Sequence, residues 1–64
     1  MICTPKKTVR FNFNEYTGEY MEYVWGRIYH VTVEHDRYFV HLGHGGLYFD
    51  KYQYNQYFTT ISIH

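Results

Sequence analysis

The stretch YMEYVWGRIYHVTVE, residues Tyr20 to Glu34, decides the fold. Apolar and polar side chains alternate along it, and this period of two is typical of a half-buried β-strand. An extended run of this length would reach roughly 50 Å at about 3.3 Å per residue, which is longer than a small domain can hold flat. We therefore predict a strand that bends at Gly26, the one glycine within the stretch.

The composition favours a small β domain. The 64 residues include nine Tyr, five Phe and one Trp but no Ala. Residues that favour strands are therefore abundant, and the strongest helix former is missing. A domain of this size buries only about 60% of the surface that its unfolded chain exposes, so aromatic side chains are needed to build the core. We predict a single domain over residues 1–64, with residues 1–7 as a loose N-terminal arm.

The first predicted hairpin turns at Gly18. A three-residue loop with Gly18 in the left-handed conformation pairs Phe11 with Tyr23 and Val9 with Trp25. This register keeps the apolar rows on one face, whereas a shift by one residue would turn every side chain over. Trp25 is accordingly expected in the core.

Two further connections would complete an antiparallel meander. A tight turn at residues 35–36 pairs Val31 with Val40. The glycine-rich run at 43–46 then serves as a four-residue loop that pairs Val40 with Phe49. Both pairings place apolar side chains on the same face of the sheet.

Residues 51–56 separate this meander from the last predicted strand. Asp50 and Gln53 have the spacing of a helix capping box, which favours a crossing segment with one short helical turn. The strand after it, at 57–63, is expected to turn four side chains toward the core. They are Tyr57, Thr59, Ile61 and Ile63.

Together these elements predict an all-β fold. If the last strand pairs with the first, the chain forms a small five-stranded barrel of the SH3-like type or a strongly bent antiparallel sheet, and closure removes exposed strand edges. The alternative is an α+β fold with a helix over residues 14–24. Gly18 inside that helix would cost about 1 kcal/mol.

Charge and cysteine content bear on compartment and partner class. Six basic and six acidic residues cancel, which disfavours both nucleic acid and a membrane surface as partners. Cys3 is the one cysteine, which fits a reducing compartment, and no apolar run approaches the roughly 20 residues of a membrane span. We expect a cytoplasmic protein.

Enzyme motifs do not occur in the sequence. The glycine-rich tract GHGG, residues 43–46, lacks the flanking helix and the lysine of a phosphate-binding loop, and there is no nucleophile elbow. We therefore predict that the protein is not an enzyme and needs no cofactor.

Three histidines are the candidate metal ligands. The predicted register places His30 opposite His41, with His44 in the loop just beyond. Directly opposed side chains have Cβ atoms about 5 Å apart, so two imidazoles could reach one zinc or copper ion and a third could complete the site. The alternative is a group of exposed histidines that binds no metal.

Aromatic side chains that fall outside the predicted core indicate a binding surface. Phe39 and Tyr48, on facing strands, are the first candidates, and Tyr20, Tyr52 and Tyr54 are the others. Aromatic residues on a rigid sheet with few charges match the composition of interface hot spots. For Tyr52 and Tyr54 the alternative is a minor core beneath residues 51–56.

These observations predict a small non-enzymatic protein-binding module. It would act as an inhibitor or adaptor of a larger protein, as a phage-type or accessory regulator does, or as a homodimer through the same face. The alternative is a single-stranded nucleic-acid-binding protein that stacks bases on the outer aromatics, with four basic residues near the backbone. These are Lys6, Lys7, Arg10 and Lys51.

Overall fold

The computed structural model describes residues 1–14, 16–43 and 45–62, so the predicted core residue Ile63 lies outside it. Within these ranges the chain forms short strands and one helix. In chain order they are β1 (Ile2–Pro5), β2 (Val9–Asn14), β3 (Glu19–Tyr23), β4 (Tyr29–Glu34), β5 (Arg37–Leu42), β6 (Gly45–Asp50), α1 (Lys51–Tyr57) and β7 (Phe58–Ser62).

The prediction of a mostly β fold is confirmed. Five strands form an antiparallel sheet in the order β6-β5-β4-β1-β7, and β2 and β3 form a separate two-stranded sheet. The closed barrel is wrong, because within the described ranges the sheet stays open and β7 pairs with β1 rather than with β2. The loose arm is also wrong, since β1 lies inside that segment. The chain leaves the sheet after Pro5, and the β2–β3 hairpin packs over one face instead of extending it.

The bend predicted at Gly26 is a break between strands of two different sheets. β3 ends at Tyr23 and β4 begins at Tyr29, and Gly26 between them has a φ of 89°. The alternative helix over residues 14–24 is wrong, because Glu19–Tyr23 form β3, which pairs with β2. Gly18 adopts the predicted left-handed conformation, with a φ of 73°.

Strand registers are partly as predicted. Val31 pairs with Val40, so the tight turn between β4 and β5 is confirmed. In the other two hairpins the register differs by two residues from the prediction, and Phe11 pairs with Met21 while Val40 pairs with Leu47. A shift of two residues keeps each side chain on its face and changes only its neighbour.

The core lies between the inner face of the five-stranded sheet and a cover made of the β2–β3 hairpin and α1. Tyr23 is fully buried at its centre. Its hydroxyl donates a hydrogen bond to the Val40 carbonyl oxygen (2.8 Å) and accepts one from the Leu47 backbone N–H (3.2 Å). One hydroxyl thus ties the hairpin to the sheet and provides a partner for one buried and one partly buried backbone group. The buried apolar residues are Cys3, Tyr23, Val31, Val40, Phe49, Tyr54 and Phe58.

The helix α1 starts with the predicted capping box. The Asp50 side chain accepts the Gln53 backbone N–H (2.7 Å), and Gln53 Oε1 accepts the Asp50 N–H (3.3 Å). The helix continues to Tyr57, beyond the single turn that was predicted. The side chains of the last strand therefore face the opposite way from the prediction: Phe58 is buried, whereas Ile61, predicted to face the core, is 55% exposed.

Candidate functional site

The outer face of the five-stranded sheet is the side opposite the β2–β3 hairpin and α1. Because side chains alternate along a strand, β5 and β6 present to this face the residues that lie between their core positions. Together with a neighbour on β4 they form a connected group, here called the outer-face cluster. Its members are Thr32, Arg37, Phe39, His41 and Tyr48.

Phe39 and Tyr48 are the centre of this cluster. They are directly opposed on β5 and β6, and their ring centroids lie 4.7 Å apart with the ring planes tilted by 52°. The Arg37 guanidinium lies 4.5 Å above the Tyr48 ring, which is a cation–π contact. The edge of His41 meets Phe39 at a centroid distance of 4.7 Å. The structure therefore brings together Phe39 and Tyr48, the first candidates from the sequence analysis. The Tyr48 side chain is still 49% exposed and so remains accessible to a partner.

Gly46 makes room for this arrangement. A Cβ atom built at Gly46 would lie 2.9 Å from Cζ of Phe39 and would collide with the Val40 carbonyl oxygen. The Phe39 ring therefore covers a position in β6 that no larger residue fits. The glycine-rich run, predicted as a loop throughout, contributes Gly45 and Gly46 to β6.

Of the histidines predicted as metal ligands, His30 lies on β4 and His41 on β5, and the register of these two strands is the predicted one. His41 Nε2 lies 2.7 Å from Thr32 Oγ1, and its register partner on β6 is Gly46. His30 pairs with Ile2 of β1. His44 lies outside the described residues. Among the residues that are described, no three His, Cys, Asp or Glu side chains are grouped as metal ligands would be.

Tyr20 and Tyr52 are exposed on the elements that cover the opposite face. Tyr20 lies on β3, where the Arg10 guanidinium is 4.7 Å above its ring and pairs with Glu22 at 2.8 Å. Tyr52 lies on α1. These two residues are therefore accessible, but they do not share a surface with the outer-face cluster.

Tyr54 is a core residue, so its prediction as a surface contact is wrong. It is 1% exposed, stacks on Tyr38 at 4.4 Å and on Phe58 at 5.6 Å, and its hydroxyl lies 2.8 Å from Thr60 Oγ1. Burial raises the pKa of Tyr54 to about 12. The alternative of a minor core beneath this segment is correct for Tyr54, because α1 turns its side chain inward.

The segment between β3 and β4, residues 24–28, exposes two bulky apolar side chains. We call it the corner loop. Trp25 was predicted in the core but is 68% exposed, and Ile28 is 64% exposed. The prediction extended the alternation of apolar and polar side chains through residue 25, whereas β3 ends at Tyr23. Gly26 was the available signal, since a glycine with positive φ is typical of a turn.

Hydrogen bonds hold the corner loop at both ends. The Val24 backbone N–H donates to the Tyr29 hydroxyl (2.8 Å), and the Arg27 N–H donates to the Val24 carbonyl oxygen (3.2 Å). The loop is also tied to the segment after β1, because the Trp25 N–H donates to Thr8 Oγ1 at 2.9 Å. The exposed side chains therefore project from a fixed backbone.

Comparisons with models of known protein families, with curated proteins and with solved structures give no match. Over the described residues, the helix α1 is too short to cross a lipid bilayer and no other segment forms a spanning helix.

Proposed function

We propose that the protein is a small non-enzymatic module that binds another protein, as an inhibitor or an adaptor, and that the outer-face cluster is its contact surface. The observation that carries the proposal is the directly opposed pair Phe39 and Tyr48, with rings 4.7 Å apart on an exposed sheet face. Tyr and Arg are enriched among the residues that dominate binding energy in protein interfaces.

The cluster is organised before any partner arrives. The Phe39 ring contacts Tyr48 and His41 and covers Gly46, so it has little rotational freedom to lose on binding. Ordering a flexible side chain on binding costs roughly 0.5–1.5 kcal/mol, and a ring already in place avoids much of that. This preorganisation supports a contact made through shape and apolar area.

Single-stranded nucleic acid is the less favoured partner for this surface. Base stacking needs a free ring face, whereas Arg37 covers one face of Tyr48. Arg37 also pairs in register with Glu34 on one side and with Asp50 on the other. Two carboxylates beside the one cation would repel phosphate groups, so the charge pattern also supports a protein partner.

The test compares the wild-type chain with two double variants as immobilised baits. Phe39→Ser/Tyr48→Ser removes the centre of the outer-face cluster, and Tyr16→Ser/Tyr52→Ser removes two exposed aromatics elsewhere. A partner that binds through the cluster is retained by the wild type and the control but lost by the first variant. With that partner purified, calorimetry is expected to show at least a 30-fold loss of affinity, since each hot-spot residue contributes about 2 kcal/mol or more.

The same variants decide the alternatives. Sedimentation of the purified chain tests whether the partner is a second copy, which Phe39→Ser/Tyr48→Ser would then dissociate. An affinity for single-stranded nucleic acid that falls steeply with salt would instead indicate phosphate contacts. If the cluster variant stays folded by circular dichroism and binds the purified partner as tightly as the wild type, the proposal is wrong.

A further inference from the structure

The corner loop combines a rigid backbone with two exposed apolar side chains. Trp25 and Ile28 are 68% and 64% exposed, and Arg27 lies between them in the chain. Thr4 Oγ1 donates to the Arg27 carbonyl oxygen at 2.8 Å, which adds a second tie to the N-terminal segment. Exposed bulky apolar residues on an ordered turn need no backbone rearrangement before they contact an apolar environment.

Basic residues predominate around the corner loop. Residues 1–9 and 24–28, which the loop's hydrogen bonds join, contain Lys6, Lys7 and Arg27 and no Asp or Glu. All three basic side chains are exposed, and the Lys6 Nζ donates a hydrogen bond to the Asn55 carbonyl oxygen at 2.7 Å, which leaves Lys7 and Arg27 as the cations that face solvent. The carboxylate just before the loop, Glu22, is paired with Arg10 at 2.8 Å.

Carboxylates lie at the other end of the sheet. Glu34 and Asp36 follow the far end of β4, about six residues or roughly 20 Å from the start of that strand. Asp50 pairs with Arg37, which in turn pairs with Glu34, so it belongs to the same end. Arg37 and Lys51 also lie at this end, so it is mixed in charge, whereas residues 1–9 and 24–28 at the corner hold basic residues and no carboxylate.

We propose that the corner loop binds an anionic lipid surface. Trp25 and Ile28 would enter the interface between headgroups and acyl chains, where the amphipathic indole ring is favoured, while Arg27 and Lys7 contact the headgroups. The expectation of no membrane partner rested on the net charge and on the lack of an apolar span, whereas this proposal rests on a local group of basic and exposed apolar residues. The exposed apolar pair lies beside the exposed cations Arg27 and Lys7, and this combination favours a surface with anionic headgroups above an apolar interior.

The test uses the purified chain and large unilamellar vesicles. Trp25 is the one tryptophan, so its fluorescence reports on the loop directly. Vesicles of phosphatidylcholine with phosphatidylglycerol are expected to shift its emission to the blue and to protect it from acrylamide. Acyl chains carrying bromine are expected to quench it. Vesicles of phosphatidylcholine alone should bind far more weakly, and added salt should weaken binding to the anionic vesicles.

Variants locate the contact by co-sedimentation with the anionic vesicles. Trp25→Ser/Ile28→Ser is expected to abolish binding, and Arg27→Gln and Lys7→Gln are each expected to weaken it about fivefold. The matched control Tyr52→Ser/Ile61→Ser, which removes exposed apolar side chains elsewhere, should bind as the wild type does. Circular dichroism verifies that each variant is folded.

Several outcomes would overturn this proposal. They are an unshifted Trp25 emission with anionic vesicles, equal binding to neutral and anionic vesicles, and wild-type binding by the Trp25/Ile28 variant. Loss of a protein partner by that variant, without any vesicle binding, would also overturn it and would assign the loop to a protein contact. Phe39→Ser/Tyr48→Ser should bind vesicles normally, so this surface and the outer-face cluster are tested separately.

Discussion

Aromatic groups lie on both faces of the five-stranded sheet, and their surroundings differ. On the inner face, Tyr23 contacts Phe58 at 5.2 Å and Phe49 at 6.2 Å, and all three are buried. On the outer face, Phe39 and Tyr48 are at 4.7 Å, with Tyr48 about half exposed. Similar rings at similar spacing can therefore serve stability on one face and remain available for contact on the other. The difference is that the β2–β3 hairpin and α1 pack over the inner face and leave the outer face open.

The largest expected effect is on the inner face. Phe58→Ala removes a ring packed against Tyr23, Phe49 and Tyr54, and should lower the free energy of unfolding by about 3–5 kcal/mol. Ile61→Ala, in the same strand but 55% exposed, should cost less than about 1 kcal/mol. Urea denaturation measures both. A larger loss for Ile61→Ala would mean that β7 has the opposite phase.

The second prediction concerns the Tyr23 hydroxyl. Tyr23→Phe leaves the Val40 carbonyl and the Leu47 N–H without that partner, and should lower the free energy of unfolding by about 1–3 kcal/mol. Tyr48→Phe is the matched change on the outer face and should be nearly neutral. Equal losses from the two variants would contradict the contrast between the faces.

The same tyrosine predicts an alkaline transition. Burial raises the pKa of Tyr23 from its usual 10.0 to about 12, so the unfolded chain loses this proton first. Stability is therefore fully present below about pH 10 and declines as the pH rises toward 12. Denaturation across this range should show a shallower decline in Tyr23→Phe than in the wild type. Parallel curves would mean that Tyr23 does not contribute.

Gly46 tests how the outer ring is held. Gly46→Ala would force a Cβ against Phe39 and the Val40 carbonyl oxygen, and should cost about 1–3 kcal/mol. Gly45→Ala meets only Met21 Cε at 3.7 Å, an ordinary contact, and should change stability much less. Thermal melts of the two variants compare adjacent positions of one strand. An unchanged melting temperature for Gly46→Ala would show that Phe39 does not lie over this glycine.

The smallest expected effect is that of Tyr48→Ser. It removes a half-exposed ring and its cation–π contact with Arg37, and should cost less than about 1 kcal/mol. Chemical denaturation measures this loss. A loss as large as that of Phe58→Ala would mean that the outer rings belong to a core.

The faces of the strands were predictable because alternation is a local property. Val31 and Val40 were paired correctly, since a two-residue turn leaves little freedom of register. The other hairpins shifted by two residues because the β5–β6 connection is shorter than predicted and the β2–β3 register is irregular between Asn12 and Asn14; a shift of two residues keeps a paired side chain on its face. β1 was missed because four residues are too few to display alternation and its partners are distant in sequence.

The candidate site was predictable only in part. The alternation of apolar and polar side chains was sufficient to predict that Phe39 and Tyr48 lie opposite each other on the outer face. The contact of Arg37 with Tyr48 depends on rotamers, and the space over Gly46 depends on local strand geometry, so neither is visible in the sequence. Tyr54 was misplaced because a strand and a helix point the same residue in different directions.

The position of β1 between β4 and β7 has a consequence for the kinetics of folding. Its neighbours in the sheet come from the middle and the far end of the chain, as in the pair Pro5 and Phe58. Such distant pairings slow folding toward the millisecond-to-second range, because a long loop must close before any contact compensates for it. During synthesis β1 emerges before β7, so the pairing of these two strands can form only after β7 has left the ribosome.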